Sequence, residues 1–276
     1  MMYNVLTVDV EDWYHVCAPD GADPVPSRSL WRVHQNLEKI LALLQAHAQK
    51  ATFFMLGSVA ETDPDLADMI CSGGHELASH GYSHRLVSDL TPGQFREELL
   101  QTERIIMEQT GQKPVGYRAP QWSLSEQNGR VFEILREEGY LYDSSLNPLP
   151  FVGNRHGNLA PFRLGGQGRE LWEIPPMVTR TLIGNLPTGG GWGFRFFPFR
   201  MICRSIEKLN RQNEAAVLYL HPREVDPEGP RIDLPFLRRL AAYGDRTDAA
   251  LRLNQLFRRY RFITLKELVD KWQHVS

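Results

Sequence analysis

Cysteine is scarce in this sequence. The 276 residues include three cysteines, Cys17, Cys71 and Cys203, which are far apart and form no CxxC pair. This pattern argues against a disulfide framework and against a cysteine zinc site. We expect all three to be small hydrophobic side chains of the core.

Long apolar runs, basic tracts, internal repeats and low-complexity segments are also missing. No run is long enough to span a bilayer as a helix, and residues 1–9 lack the basic start and apolar length of a signal peptide. We therefore expect a cytoplasmic protein without a transmembrane segment. The 31 basic and 33 acidic residues leave a net charge of −2, so nucleic acid is not an expected partner. Polar sugars, amides and small neutral substrates stay open, as does the oligomeric state.

The chain has enough apolar residues, 42% against 23% charged, to fold around a full core. Short apolar runs of strand length alternate with segments of helical periodicity, which is typical of βα units in a parallel sheet or barrel. The predicted strands are Val5–Val10, Ala51–Leu56, His75–Ser79, Val115–Arg118, Tyr140–Asp143, Leu171–Pro175, Ala215–Leu220 and Arg261–Thr264.

Several predicted helices have recognisable N-termini. Thr91 is followed by Pro92 and Gln94, and Thr264 by Glu267, which is the pattern of a capping box. Residues 147–193 are rich in Gly, Pro and Asn and are interpreted as a loop-rich insertion with short strands. The predicted helices are Leu30–Ala48, Asp65–Cys71, Thr91–Thr110, Gln127–Glu138, Phe199–Asn210 and one that begins after Thr264.

Polar side chains capable of catalysis follow five of the predicted strands. In a parallel barrel the carboxyl ends of the strands meet on one face, where active sites are built. Each residue alone has an ordinary structural interpretation, but the set together indicates a site. Its members are Asp9, His80, Arg118, Asp143 and His221.

The histidines His80 and His84 are the first candidate metal ligands. A separation of four residues places two side chains on one face of a helical turn, where both imidazoles reach one cation. An HxxxH pair alone is a weak signal, and two unrelated loop histidines are the alternative. The position just after a strand, beside Gly81, favours the metal site.

The acidic residues Asp9, Glu11 and Asp12 are the second group. Three carboxylates within four residues repel each other unless a cation compensates them. Asp9 and Glu11 are expected on the same side because side chains alternate along a strand. Asp12 reaches the site only if the chain bends, and the choice between Glu11 and Asp12 as metal carboxylate stays open.

Three further residues complete the set. His221 lies at the end of a strand, where it suits acid catalysis or a structural role. Arg118 either orients Asp9 or pairs with a surface carboxylate, and Asp143 either caps a turn or belongs to the site.

These residues resemble the motifs of the polysaccharide deacetylases, carbohydrate esterase family 4. The resemblance covers the chain from Thr7 to about Pro222, in motif order. The Asp-Val-Glu-Asp first motif, with Gly189–Trp192 between the later motifs, resembles the bacterial branch associated with exopolysaccharide synthesis. The five segments are Thr7–Asp12, His80–His84, Arg118–Trp122, Tyr142–Ser145 and Leu220–His221.

The resemblance implies an α/β fold, a distorted (β/α) barrel of about seven strands forming one catalytic domain over residues 1–276. It also implies a divalent metal held by one acidic residue and two histidines, Zn²⁺ first, with Co²⁺, Ni²⁺ or Mn²⁺ as alternatives. Asp9 would be the general base, His221 the general acid, and Arg118 the residue that positions Asp9. Two departures are the loss of the adjacent Asp-Asp pair and Gln121 at a position that is usually aromatic.

The function implied is hydrolysis of N-acetyl groups on amino sugars of a poly- or oligosaccharide or a lipid-linked precursor. We expect Tyr82, Gln121, Trp122 and Trp192 to contact the sugar. One alternative is a cyclic-amide hydrolase of the allantoinase type on the same scaffold. Another is a non-catalytic glycan-binding relative.

Overall fold

The computed structural model describes most of the chain. Cys203 is buried and Cys71 is partly buried, so the core position is confirmed for Cys203, whereas Cys17 lies outside the described residues. The described ranges are 2–15, 27–149, 153–154, 156–165, 169–182, 184–231, 233–244 and 249–273.

Eleven strands lie within these ranges. All eight predicted strands are confirmed, most of them trimmed by a residue or two. Three short strands, β6, β8 and β9, were not predicted, and all three lie in the segment 147–193. The strands are β1 (Tyr3–Val10), β2 (Thr52–Met55), β3 (Glu76–Ser79), β4 (Gly116–Tyr117), β5 (Tyr142–Asp143), β6 (Phe162–Leu164), β7 (Leu171–Glu173), β8 (Thr179–Thr181), β9 (Gly184–Leu186), β10 (Val217–Leu220) and β11 (Arg261–Ile263).

The described helices include all those predicted from the sequence. Both predicted capping boxes are present, since the Thr91 hydroxyl accepts from Gln94 N–H and the Thr264 hydroxyl accepts from Glu267 N–H. The helices are α1 (Val33–Ala46), α2 (Gly57–Thr62), α3 (Asp65–Ser72), α4 (Pro92–Thr110), α5 (Gly129–Glu137), α6 (Gly191–Phe196), α7 (Phe199–Arg211), α8 (Phe236–Tyr243), α9 (Ala249–Phe257) and α10 (Leu265–Gln273).

One sheet organises the molecule. Its strands follow the order β10-β1-β2-β3-β4-β5-β7-β6, and β11 also pairs with β1. All neighbours are parallel except the edge pair β6–β7. The sheet curls into a half-barrel with helices outside, which confirms the predicted fold class. The single catalytic domain with an insertion at 147–193 stays a prediction.

Side chains that alternate along β1 belong to two different hydrophobic clusters, one on each face of the sheet. Leu6, Val8 and Val10 belong to the main hydrophobic cluster with the outer helices. Val5 belongs to a second cluster with Phe54 and residues of β5, β10 and α10. Because side chains alternate along a strand, Thr7 and Asp9 share the side of Val5 and point into the curled sheet. The strand therefore delivers Asp9 to the interior.

In the part of the chain that the structure describes, no helix combines the length and apolarity needed to cross a bilayer. The cytoplasmic location stays a prediction.

Candidate active site

Three side chains at the carboxyl edge of the sheet converge as a metal site requires. Glu11, His80 and His84 each offer one ligand atom, and these atoms all lie within 4.8 Å of one another. Glu11 follows β1 and His80 follows β3, two strands that flank β2. Pairing of these strands in one sheet therefore brings His80 close to Glu11.

The two histidines do not lie on a helical turn, and that part of the sequence interpretation was wrong. Residues 80–84 form an irregular loop. Gly81 and His84 have positive φ angles, 75° and 63°, and this conformation is unfavourable for a residue with a Cβ atom. The left-handed backbone at His84 is a strained position of the kind that clusters at functional sites.

His80 is oriented by a backbone contact. Its Nδ1 donates to the carbonyl oxygen of Arg118 at 2.8 Å, which leaves Nε2 with a free lone pair, as in many metal-binding histidines. Burial lowers the pKa of His80 to about 4, with the neighbouring His84 acting in the same direction. The imidazole is therefore neutral, the form that binds metals.

Glu11 is the charge centre of the site. Burial alone raises its pKa, but the charges of His221, His84 and Arg223 outweigh that effect and hold the pKa well below its ordinary value. The His84 Nε2 lies 2.8 Å from Glu11 Oε2, and the Arg223 Nη1 lies 2.6 Å from Oε1. The carboxylate is therefore ionised and is shared between His84 and the Arg223 guanidinium, which comes from the late part of the chain.

Asp12 is the carboxylate that does not join the histidines. Its two oxygens accept hydrogen bonds from the backbone N–H groups of Trp13, Arg32 and Val33. It therefore anchors the start of α1, because the first N–H groups of a helix need acceptors. The structure separates the two carboxylates between which the sequence left the choice open.

Asp9 and Arg118 form a buried pair beside the ligands. Arg118 Nη1 donates to Asp9 Oδ1 at 2.7 Å and to Thr7 Oγ1 at 2.8 Å. Its other nitrogens donate to the carbonyl and hydroxyl oxygens of Ser144. Since Arg118 is fully buried, these bonds fix the guanidinium and leave Asp9 Oδ2 facing the site.

His221 faces both early carboxylates. Its Nε2 lies 3.8 Å from Asp9 Oδ2 and 3.6 Å from Glu11 Oε1. The opposite ring nitrogen, Nδ1, lies 2.9 Å from Glu224 Oε1. Burial alone raises the pKa of Glu224, but His221 and the nearby arginines bring it below the ordinary value. Glu224 is thus an ionised partner that orients His221.

Glu224 and His15 were missed at the sequence level. Residues Pro222–Val225 form a 3₁₀ turn after His221, and residues three apart eclipse on such a turn, so the His-x-x-Glu spacing was a usable signal. His15 packs against His84 with ring centroids 5.3 Å apart, and its Nδ1 accepts from Asp12 N–H. Burial lowers the pKa of His15 to about 3.

Asp143 interacts with an acidic side chain on the neighbouring strand β7. It is fully buried and lies opposite Glu173 in the β5–β7 register. Its Oδ1 accepts from the Ser145 hydroxyl at 2.6 Å. Burial raises the pKa of Asp143 to about 6 and that of Glu173 well above its ordinary value. The two acids form a buried pair, and a catalytic role of Asp143 stays a prediction.

The four predicted sugar contacts divide into two groups. Trp122 packs edge-to-face against Tyr219, and its ring lies 4.9 Å from the Arg118 guanidinium carbon, while Gln121 is exposed beside it. Tyr82 turns away, since it packs against the main core cluster and its hydroxyl donates to Glu61.

Trp192 stacks with Phe196 and Phe197 at the surface of α6. The preceding glycines instead contact the strand that carries His221, since Gly190 bridges to Tyr219. The structure therefore gives Tyr82 and Trp192 other packing partners than the ligand cluster.

Two family models match the chain in succession. Residues 21–142 match the model described as Polysaccharide deacetylase, and residues 144–270 match the model described as Domain of unknown function (DUF3473). The first range contains both ligand histidines and Arg118, and the second contains His221 and Glu224. The candidate site draws on both ranges and on Asp9 and Glu11, which precede them.

Individual proteins show the same similarity. The chain is 35% identical over 127 residues to a peptidoglycan deacetylase from Helicobacter pylori, which covers 46% of this chain and 42% of that protein. The chain thus spans less than half the length of this relative.

Solved structures share the fold. A crystal structure from Mycobacterium smegmatis assigned to the polysaccharide deacetylases has a TM-score of 0.64 at 22% identity and covers 98% of this chain and 91% of the other. The Puue allantoinase structure has a TM-score of 0.65 at 18% identity, with 99% and 90% covered.

Proposed function

The chain belongs to the polysaccharide deacetylase family, and on that premise we propose that it hydrolyses N-acetyl groups of amino sugars. The substrate is a poly- or oligosaccharide, or a lipid-linked precursor, of exopolysaccharide or cell-envelope metabolism. One observation carries the proposal: His221 Nε2 lies within 4 Å of both Asp9 and Glu11, next to the three convergent ligand atoms. The proposed base, the proposed acid and the candidate metal ligands therefore lie close together.

The donor set fits a divalent cation. Two imidazole nitrogens and one carboxylate oxygen are typical of catalytic zinc sites that keep a position open. We propose Zn²⁺ on Glu11, His80 and His84, with Co²⁺, Ni²⁺ or Mn²⁺ as alternatives. When bound, the cation polarises the amide carbonyl and lowers the pKa of water at the site.

Asp9 is the proposed general base. Its Oδ2 takes a proton from the attacking water, while Oδ1 stays bonded to Arg118 at 2.7 Å. Arg118 thereby holds the carboxylate in one orientation and compensates its charge in a buried setting. Asp9 is thus ready to accept a proton without first having to turn.

His221 is the proposed general acid. Its Nε2 delivers a proton to the departing amine of the sugar, which is expelled as the C–N bond breaks and acetate forms. Glu224 bonds Nδ1 at 2.9 Å, fixes the ring and stabilises the imidazolium between turnovers. This histidine–carboxylate pairing is a common arrangement for acid–base catalysis.

The test is acetate release from N-acetylated oligosaccharides by the purified protein, after chelation and after readdition of Zn²⁺, Co²⁺, Ni²⁺ or Mn²⁺. We expect activity only with metal, and a loss of about 100-fold or more in His221→Ala. His47→Ala, a histidine bonded to Asn254 on α9, is the matched control with normal activity. Normal activity of His221→Ala would contradict the assignment of His221 as the general acid.

The likeness to the allantoinase supports the second candidate, hydrolysis of a cyclic amide. The same preparation is therefore assayed for ring opening of allantoin. Ring opening without acetate release from any acetylated sugar would replace the deacetylase proposal. Glycan binding without turnover under every metal condition would favour the non-catalytic alternative.

A further inference from the structure

The carboxylates of Asp9 and Glu11 each have one oxygen bound by an arginine. Arg118 Nη1 donates to Asp9 Oδ1 at 2.7 Å, and Arg223 Nη1 donates to Glu11 Oε1 at 2.6 Å. The proposed mechanism gives Arg118 a role and leaves Arg223 without one. Because Arg223 contacts a candidate metal ligand rather than the proposed base, its contact bears on metal binding.

The register of β1 against β10 brings Arg223 to Glu11. Val8 pairs with Leu220 in the parallel ladder. Glu11 and Arg223 each come three residues after this pair, so the alignment of the two strands continues past the end of the ladder. Arg223 lies on the turn Pro222–Val225, which directly follows His221. Strand pairing therefore sets the contact between the arginine and the carboxylate.

Burial makes this ion pair more than a surface contact. The side chain of Glu11 is 5% exposed and that of Arg223 is 17% exposed. Water and salt screen such a pair much less than an exposed one. Removing one partner of a buried pair also leaves the other charge uncompensated. The guanidinium is therefore expected to hold the Glu11 carboxylate in one orientation.

The two oxygens of Glu11 have different neighbours. Oε2 lies 2.8 Å from His84 Nε2, whereas Oε1 lies 2.6 Å from Arg223 Nη1. A glutamate side chain has several rotatable bonds, so a carboxylate without the arginine would be able to turn either oxygen, or both, to the histidines. Metal-binding carboxylates are commonly held by an outer hydrogen bond of this kind, which fixes their orientation.

We infer that Arg223 is a positioning residue of the metal site. It holds Oε1 of Glu11, so that Oε2, beside His84, is the oxygen presented to the cation. The inference rests on the proposed function, because it takes Glu11, His80 and His84 as the ligands. It deepens that proposal by making the ligand geometry depend on a residue of the range 144–270, which matches DUF3473.

The test compares Arg223→Met, which removes the charge and the donor, with Arg223→Lys, which keeps a cation without the planar fork. Zn²⁺ dissociation constants are measured without substrate, by competition with a chromophoric chelator. We expect Arg223→Met to bind Zn²⁺ about tenfold more weakly or worse, and Arg223→Lys to be intermediate. Arg32→Met is the matched control with wild-type affinity, because Arg32 forms a similar ion pair, at 2.8 Å, with Asp226 just after the same turn.

A second measurement reports the ligand geometry directly. The visible absorption spectrum of the Co²⁺-loaded protein depends on how the ligands surround the ion. We expect an altered spectrum in Arg223→Met, a smaller change in Arg223→Lys and the wild-type spectrum in Arg32→Met. If Arg223→Met does not fold, Arg223→Lys decides, and a wild-type affinity and spectrum in that variant would overturn the inference.

The outcomes separate this inference from the proposed function. Equal Zn²⁺ affinity and Co²⁺ spectra in wild type and Arg223→Met would overturn the positioning role. Tighter binding in Arg223→Met would also overturn it, since the arginine would then compete with the cation. Weaker binding in Arg223→Met, in a protein that releases no acetate, would support the positioning role and contradict the deacetylase proposal. Undiminished binding in His80→Ala would contradict both the metal site and the positioning role.

Discussion

At the scale of residues, the neighbouring carboxylates Glu11 and Asp12 have different partners. Glu11 faces both histidines, whereas Asp12 accepts from the N–H groups of Arg32 and Val33 at the start of α1. We expect Glu11→Gln to lose bound metal and activity. Asp12→Ala should keep its metal and lose about 1–2 kcal/mol of unfolding free energy, as for a lost helix cap. Elemental analysis and urea unfolding of both variants check this, and metal loss in Asp12→Ala alone would reverse the assignment.

Glu224 contacts His221, and its proposed role is to orient that histidine, so its removal should have a recognisable signature. We expect Glu224→Gln to lower kcat about 10–100-fold, the usual effect of losing a carboxylate behind a functional histidine, with little change in KM. The alkaline limb of the pH–rate profile should move to lower pH, because His221 must be protonated to act as the acid and Glu224 stabilises the charged imidazole. The double variant with His221→Ala should be no slower than His221→Ala alone. Additive losses would show that Glu224 acts elsewhere.

At the scale of elements, the Gly189–Trp192 segment packs closely against β10, the strand that precedes His221. Tyr219 N–H donates to the carbonyl of Gly189 at 2.9 Å, and a Cβ added at Gly190 would lie 2.3 Å from the Tyr219 carbonyl oxygen. Only glycine fits there without moving backbone. The Gly189–Trp192 segment is thus tied to β10 just before His221, the proposed general acid.

This close contact predicts the effect of replacing Gly190 by alanine, which adds one methyl group. Gly190→Ala should lower the free energy of unfolding by about 1–3 kcal/mol, as overpacking does, and should slow deacetylation because β10 must shift. Gly129→Ala at the start of α5 is the control, since nothing lies within 4 Å of its added Cβ. Urea unfolding of both variants decides, and equal stabilities would contradict the close approach.

A second feature at the scale of elements is the buried acid pair Asp143 and Glu173, which lie opposite each other on β5 and β7. Burial raises the pKa of Asp143 to about 6 and that of Glu173 well above its ordinary value, while both carboxyls titrate near pH 4 when unfolded. The folded state therefore holds more protons above about pH 4, and stability falls as pH rises through this range.

Neutralising one acid should remove that dependence. We expect Glu173→Gln to lose less stability than the wild type between pH 5 and pH 8, by on the order of 1.4 kcal/mol per unit of pKa shift removed. Glu133→Gln, an exposed carboxyl on α5, should behave as the wild type. An identical dependence of stability on pH in wild type and Glu173→Gln would show that burial does not raise the pKa of the pair.

At the scale of the whole molecule, the candidate site joins distant parts of the chain. The sheet crosses from the polysaccharide deacetylase range into the DUF3473 range through the parallel pair β5–β7, and β1, which precedes both ranges, pairs with β10 of the second. Arg223 from the second range contacts Glu11 from before the first. The two sequence families therefore build one sheet and one site.

Metal removal should consequently affect overall stability. A cation that binds only the folded site adds about 2.7 kcal/mol when present at 100 times its dissociation constant, so chelation should lower the melting temperature by about 5 °C or more. His80→Ala should show no such shift. An equal shift in His80→Ala would place the metal at another site.

The sequence by itself determined the parallel α/β fold and the strand ends that carry the site. Apolar runs of strand length and capping boxes are local signals, and alternation along β1 was enough to place Asp9 and Glu11 on one side. These features depend on neighbours in the chain, so their pattern can be read before folding.

Only the tertiary structure decided how the polar residues are paired. Glu11 joined the histidines and Asp12 the start of α1, while Glu224 paired with His221 and Asp143 with Glu173. Each outcome depends on backbone turns and on contacts between residues far apart in sequence. Because hydrogen bonds and ion pairs act over a few ångströms, shifts of a single residue in a loop choose between partners that composition and spacing leave equivalent.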